Sequence, residues 1–168
     1  DGSCIYTGCT DPLAGNWWDL ANNDDGSCEY YGCMDPTADN YDTGATMDPN
    51  NECCYGTTVV IQMFDSYGDT WNGGVLTITD ASGAQVFQGG VNPGLWGSGT
   101  NSYNEGTACL DDGCFNVTVA GGSWQSERYW WIIAISSGDT LAGSGTPGEL
   151  GTYDDYIPVG DPNACNVG

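Results

Sequence analysis

The sequence predicts a mainly β protein in which two small disulfide-stapled repeats are followed by a β-sandwich or jelly-roll-like domain. The 168 residues include nine cysteines and 27 glycines, a composition typical of a stapled, turn-rich chain. Between residues 57 and 135, short runs of β-branched and aromatic residues are separated by glycine-rich turns. No stretch shows a 3.6-residue apolar period with helix caps, so we expect strands rather than helices.

The first part of the chain contains a repeated motif. It reads DGSCIYTGCTDP from residue 1 and DGSCEYYGCMDP from residue 25, and a partial third copy, CCYG, begins at residue 53. Because the first copy opens in mid-unit, we expect the chain to be part of a longer cysteine-stapled array. The expected organisation is repeats over 1–54, a β-sandwich domain over 55–165, and a linker at 166–168 that leads into a next repeat.

The second part of the chain carries the strand patterns. Residues 57–64 are β-branched and apolar, and residues 128–135 form a run apolar enough for a central strand. Residues 75–79 and 114–119 alternate between apolar and polar side chains, as half-buried strands do. Such short runs, separated by turns, close most simply as two packed sheets.

Alignment of the repeats assigns two disulfides. We expect Cys9 to bond to Cys28 in the first copy and Cys33 to bond to Cys53 in the second. Cys53 is preferred to Cys54 because it aligns with Cys28. Each bridge stabilises its unit by about 3 kcal/mol through loop closure, which a short glycine-rich unit without a core needs.

The remaining cysteines are assigned by position. Cys109 and Cys114 bracket a Leu-Asp-Asp-Gly turn, so we expect them to clamp a hairpin or the entry of a strand, and we expect Cys54 to bond to Cys165. Cys4 is then unpaired or bonded to another molecule. Zinc is the alternative use of dense cysteine, but the chain has no His and no Cys-x-x-Cys motif. Disulfides indicate an oxidising, extracellular or cell-surface location.

Charge excludes several functions. The chain has 23 acidic residues, a single basic residue, Arg128, and a net charge of −22. Nucleic-acid binding needs Lys and Arg against phosphate, so it is not expected. No apolar run is long enough to span a bilayer, so membrane insertion is not expected either. The self-repulsion of so many carboxylates favours a bound cation, and oxygen ligands favour Ca²⁺.

Two sets of oxygen ligands are candidate Ca²⁺ sites. Asp65, Asp69 and Asn72 lie in a glycine-rich loop after a predicted strand, where the alternative is a loop of Asx-turns that caps the strand end. A second set recurs at matching positions in the repeats, as metal ligands or as a hydrogen-bonded turn framework. Its members are Asp11, Asn16, Asp24, Asp25, Asp35, Asn40 and Asp48.

Aromatic residues and one sequon are the other candidate sites. Asn116-Val117-Thr118 is an N-glycosylation sequon whose Asn116 and Thr118 lie on the polar face of the strand. The alternative is that these two residues are an unmodified pair that faces solvent. Among the tryptophans, we expect Trp124, Trp130 and Trp131 in the core. The more exposed ones could stack on sugars or anchor an interface. They are Trp17, Trp18, Trp71 and Trp96.

Catalysis has little support in the sequence. Without His or Lys, the chain has no Ser-His-Asp triad and no Schiff-base lysine. A carboxylate pair could serve a glycosidase, but nothing singles out one pair among 23 acids. We therefore expect a protein that is not an enzyme.

Two motifs resemble a known family. The run from residue 65 reads DSYGDTWNGG and resembles the DSYGDGWNGG signature of β-domains in large secreted proteins of aquatic bacteria and microalgae. The runs CLDDGCF from residue 109 and GGSWQSE from residue 121 are similar to the second half of that signature. The repeats resemble the GCTDPxAxNYxxxAxxDDGSCxY units that accompany it. The chain departs from the pattern at Thr70, where Gly is preferred, and at Trp17-Trp18, where Tyr is preferred.

The resemblance implies a cell-surface or filament setting. Together with the cysteine array, it leads us to expect a structural subunit of an extracellular filament or cell-surface appendage that associates with itself. Disulfides, Ca²⁺ and glycans would stiffen such a subunit. The alternative is a Ca²⁺-dependent adhesive or carbohydrate-binding module of a large secreted surface protein.

Overall fold

The computed structural model describes residues 4–91, 102–144 and 153–165. The chain divides into two compact units between Tyr55 and Gly56, one residue after the boundary expected from sequence. The first unit contains the repeats and the second contains the strands. The expected linker at 166–168 and Trp96 lie outside the described residues.

The two repeats fold by the same backbone hydrogen bonds. The Ala14 N–H donates to the Asp11 carbonyl, and the Ala38 N–H donates to the Asp35 carbonyl, both at 3.1 Å. The disulfides Cys9–Cys28 and Cys33–Cys53 form as predicted, with Cα–Cα distances of 4.8 and 4.7 Å. The buried apolar residues of the unit are Cys9, Ala14, Cys33, Ala38 and Cys54. With so little apolar surface to bury, the repeats depend on their covalent closure.

The second unit contains two antiparallel four-stranded sheets, so the predicted mainly β fold is confirmed. The strands are β1 (Thr57–Asp65), β2 (Gly74–Thr79), β3 (Gln85–Gly89), β4 (Tyr103–Leu110), β5 (Gly113–Gly121), β6 (Arg128–Ala134), β7 (Thr140–Gly143) and β8 (Tyr153–Val159). The first sheet has the order β4-β1-β6-β7 and the second has the order β3-β2-β5-β8.

Strand alternation places one face of each sheet in a common core. In β1 the inward residues are Val59, Ile61 and Met63, and in β5 they are the predicted Phe115, Val117 and Val119. Their neighbours along each strand are half-buried and face outward, because successive side chains in a strand point to opposite faces. The largest fully buried side chains are Trp71 and Trp130.

The expected bridges Cys109–Cys114 and Cys54–Cys165 are wrong, because Cys114 bonds to Cys165. The Leu-Asp-Asp-Gly turn does not make a hairpin. It carries the chain from β4 in the first sheet to β5 in the second, so the two flanking cysteines belong to different sheets. Cys54 and Cys109 are also disulfide-bonded, while Cys4 is free and exposed.

We predict that the repeats unfold locally when a bridge is removed. The double substitution Cys33→Ser, Cys53→Ser should cost the second repeat about 3 kcal/mol of loop-closure stabilisation. Amide hydrogen exchange should then accelerate through residues 30–54 while β1 and β6 keep their protection. The matched double substitution Cys9→Ser, Cys28→Ser should shift the effect to the first repeat. Equal acceleration in both units would contradict the prediction.

Candidate functional site

The loop between β1 and β2 is held by one buried carboxylate and one buried indole. Asp65 Oδ1 accepts hydrogen bonds from the Gly68 N–H and, at 3.3 Å, from the Asp69 N–H. Trp71 is completely buried, and its Nε1–H donates to the Phe64 carbonyl at 2.7 Å. The glycine-rich sequence therefore wraps back onto the end of β1.

Trp71 was expected to be an exposed interface residue, and that expectation is wrong. Its place in a predicted loop suggested exposure, but the indole turns into the core, where the Arg128 guanidinium carbon lies 5.8 Å from the ring centroid. Trp17 and Trp18 are 48% and 41% exposed, as expected.

Three carboxylates meet where β1 ends and β6 begins. One oxygen from each of Asp65, Asp69 and Glu127 lies within 4.8 Å of the others. We call these three residues the acidic cluster. Glu127 ends a short 3₁₀ helix, Gln125–Glu127, directly before β6, and its carbonyl accepts the Ser66 N–H at 2.9 Å. Asp65 is only 4% exposed, whereas Asp69 is exposed.

Several polar atoms around the acidic cluster have no hydrogen-bond partner in the described part of the chain. Asp65 Oδ2 and Glu127 Oε2 are buried and unpaired. Burial raises the pKa of Glu127, and the charges of Asp69 and Asp65 raise it further. Among the described residues, these two carboxylate oxygens therefore have no hydrogen-bond donor.

The single cation of the chain lies beside the cluster without pairing with these oxygens. Arg128 Nη2 donates to the carbonyls of Trp71 at 3.1 Å and Ser123 at 2.9 Å. Its Nε and Nη1 have no partner among the described residues. Burial lowers the pKa of Arg128, while the charge of Asp65, its partner across the β1–β6 register, raises it.

The structure brings two of the three predicted loop ligands together and gives the third another role. Asn72 Nδ2 donates to Asp69 Oδ1 at 3.1 Å, so Asn72 positions Asp69. Sequence reasoning missed Glu127, which is remote in the chain. The signal was present, because Glu127 ends the run GGSWQSE, which resembles the second half of the same signature.

The predicted ligands in the repeats belong to a hydrogen-bonded turn framework. Asp11 Oδ1 accepts the Leu13 N–H at 2.9 Å, and Asp11 Oδ2 accepts the Tyr30 hydroxyl at 2.7 Å. In the second repeat, Asp35 Oδ2 accepts the Tyr55 hydroxyl at 2.9 Å. Each repeat is thus closed by a tyrosine that follows its last cysteine.

The other predicted ligands of the repeats also bond to the backbone. Asn16 donates to the Ser27 carbonyl and accepts the Glu29 N–H, and Asn40 makes the matching bonds to Glu52 and Cys54. The side chains that accept nearby backbone N–H groups are Asp24, Asp25 and Asp48. Within the described ranges, no group of three carboxylates close enough for a metal includes a repeat residue.

The outer face of the first sheet carries a cluster of aromatic rings. Phe64 and Tyr129 stack at a centroid distance of 4.8 Å, and Phe64 also contacts Tyr103 at 4.8 Å and Trp131 at 5.4 Å. We call these four residues the aromatic face. Burial, together with a hydrogen bond to Glu105, raises the pKa of Tyr103 to about 12.

Two of the three tryptophans expected in the core, Trp131 and Trp124, lie outside it, so those two expectations are wrong. Trp130 is in the core as expected, but Trp131 points the opposite way because neighbours in a strand alternate. Trp124 is 64% exposed and takes a left-handed backbone with φ of 57°.

The sequon lies in the middle of β5, on the outward face of the second sheet. Asn116 is half-buried, and its Nδ2 donates to the Asp155 carbonyl at 3.4 Å. Its glycosylation stays a prediction.

The fold and these sites define an antiparallel β protein stapled by disulfides, a class typical of an oxidising, extracellular environment. In comparisons with protein-family models, curated proteins and solved structures, the chain matches none. Across the described ranges, no helix has the length and apolar character needed to cross a membrane.

We predict that Thr70→Gly stabilises the second unit. Thr70 has φ of 87°, a left-handed conformation that costs a β-branched residue about 1–2 kcal/mol. Glycine avoids that cost, but it also makes the unfolded chain more flexible, which offsets part of the gain. The substitution also removes Thr70 Oγ1, which accepts the Asn72 N–H at 3.2 Å in an exposed position, so we expect a net gain of about 0.5 kcal/mol and a slightly higher melting temperature. The control Thr77→Gly, in the regular strand β2, should lower it. A lower melting temperature for Thr70→Gly would refute the strain argument.

We also predict that acid weakens the repeats. The Leu13 N–H and then the Tyr30 hydroxyl lower the pKa of Asp11 below 3.8. A carboxyl with a depressed folded pKa contributes stability above its unfolded value, and that stability is lost as pH falls through the folded pKa. In carboxyl ¹³C NMR titrations, Tyr30→Phe should raise the pKa of Asp11 and leave that of Asp35 unchanged. Tyr55→Phe should do the reverse, and no change in either would contradict the assignment.

Proposed function

We propose that the chain is a structural subunit of an extracellular filament or cell-surface appendage that associates with itself. The observation that carries this proposal is the pair of repeats, which use the same disulfide, the same turn hydrogen bonds and the same Tyr–Asp bond twice in succession. Units with almost no core of their own gain stability when they are stacked into an array, as in other repeat proteins.

The surface of the repeats supports self-association. Exposed aromatic side chains dominate protein interfaces, and Trp17 and Trp18 are both exposed on the first repeat. An aromatic ring also joins the two repeats to each other. The ring of Tyr31 in the second repeat lies so close to Gly15 in the first that a methyl group on Gly15 would stand 2.1 Å from it. Cys4, which is free and exposed, occupies the position that Cys28 holds in the next copy. We propose that it bonds to another subunit.

Resistance to degradation fits the same role. The chain has one basic residue, Arg128, which is buried, so a trypsin-like protease finds no exposed cleavage site among the described residues. Three disulfides join cysteines that are 19, 20 and 51 residues apart in the sequence. Both features favour persistence outside the cell.

Assembly can be measured directly. Electron microscopy of native material should show regular fibres, and mass spectrometry of those fibres should identify this chain. In light scattering on purified protein, Trp17→Ala, Trp18→Ala should reduce the assembled mass at least several-fold, whereas the control Trp124→Ala, which removes an exposed indole from the second unit, should not. A wild-type chain that stays monomeric at all concentrations would defeat the proposal.

The aromatic face favours a second candidate function, carbohydrate binding by a surface module. Aromatic rings stack on sugar rings, and the carboxylate of Glu105, bonded to Tyr103, could accept sugar hydroxyls. A monomer that binds glycans on an array, and loses that binding on Trp131→Ala but not on Trp124→Ala, would favour this function over the first.

A further inference from the structure

We propose that the acidic cluster binds one Ca²⁺ ion, which fastens the loop at 66–73 to the start of β6. The proposal goes beyond the proposed function, because the ion would hold the second unit together whatever the chain assembles with. It rests on the convergence of Asp65, Asp69 and Glu127 and on the buried, unpaired oxygen atoms of Asp65 and Glu127.

A buried oxygen without a donor is the first argument. Asp65 is 4% exposed, and its Oδ2 accepts no hydrogen bond from the described chain, although Oδ1 accepts two. Glu127 Oε2 is buried and unpaired in the same way. Buried charged oxygens normally have partners, and a bound cation would supply the partner that the described side chains do not give these two oxygens.

The charge balance is the second argument. Three carboxylates and the neighbouring guanidinium of Arg128 leave a net charge of minus two when all are ionised. Arg128 does not cancel the cluster by direct bonding, because its Nη2 is bonded to two carbonyls and its other nitrogens are not bonded to Asp65 Oδ2. One divalent cation would complete the neutralisation.

The distances and the chemistry of the ligands select Ca²⁺. Ca²⁺–oxygen bonds are about 2.3–2.6 Å long, so two oxygens on one ion lie at most about 5 Å apart. The three carboxylate oxygens lie within 4.8 Å of one another. All three ligands are oxygens, which hard cations prefer, and Ca²⁺ tolerates irregular loops better than Mg²⁺ does. Backbone carbonyls and water would complete its six to eight ligands.

Hydrogen bonds position two of the three carboxylates, and the backbone of the third residue, without occupying the unpaired oxygens. The Gly68 and Asp69 N–H groups donate to Asp65 Oδ1 and so orient that carboxylate. Asn72 Nδ2 donates to Asp69 Oδ1 and orients the Asp69 carboxylate in the same way. The Ser66 N–H fixes the backbone of Glu127 at 2.9 Å. The site is therefore arranged before any ion binds, which reduces the entropy lost on binding.

Calorimetric titration of the full chain with Ca²⁺, after chelator treatment, tests the site. We expect one saturable site whose affinity falls at least tenfold in Glu127→Gln and in Asp65→Asn. The control Asp139→Asn removes an equal charge from an exposed position in the turn between β6 and β7 and should leave the affinity unchanged. Unchanged affinity in both cluster variants would overturn the proposal, as would equal affinity of the wild-type chain for Mg²⁺.

A second measurement on the unmodified chain locates the ion independently of any folding defect in the variants. Addition of Ca²⁺ should produce saturable NMR shifts of the amides of Gly68, Asp69 and Glu127 and should raise the melting temperature. Saturable shifts confined to the repeats, or none at all, would overturn the proposal. Either result leaves the electron-microscopy test of self-association unaffected.

Discussion

Covalent closure is the constraint on which the first unit depends. Each repeat buries little more than its cystine and one alanine, so the hydrophobic effect contributes almost nothing to its order. The disulfide removes conformational entropy from the unfolded chain, and Asn16 and Asn40 then bond both sides of each closed loop. The polar side chains that looked like metal ligands in the sequence are the internal framework of such a unit, because its described backbone forms turns and isolated β-bridges rather than helices or strands.

The second unit uses the opposite principle, since two alternating sheets enclose a dense apolar core. The loop after β1 shows how the core and the acidic cluster are linked. Trp71 anchors the loop in the core, and the same anchoring brings Asp69 over Asp65 and beside Glu127. The burial of Trp71 thus determines the geometry of the cluster. The same geometry buries one oxygen each of Asp65 and Glu127 without a hydrogen-bond partner, which is electrostatically unfavourable.

The sequence predicts the parts of this structure that local pattern determines. Alternation identifies the strands and the inward faces of β1 and β5, and the alignment of the copies identifies Cys9–Cys28 and Cys33–Cys53. Cys114 bonds to Cys165 because β8, which ends shortly before Cys165, pairs with β5, and no local pattern reveals that pairing. Trp71 and Trp131 were misplaced because their orientation depends on the wrap of a loop and on strand register. Glu127 joins Asp65 only through the pairing of β1 with β6.

The tyrosine that closes each repeat has a consequence for how arrays of this kind change length. Tyr30 belongs by sequence to the second copy but completes the first, and Tyr55 does the same one period later. The period of the sequence and the unit of folding are therefore out of phase. Because every copy offers the same cysteine and the same phenol at the same offset, deletion or duplication of one whole period rejoins equivalent partners. Unequal recombination would shorten or extend the array and leave the disulfide and the Tyr–Asp hydrogen bond of each repeat complete.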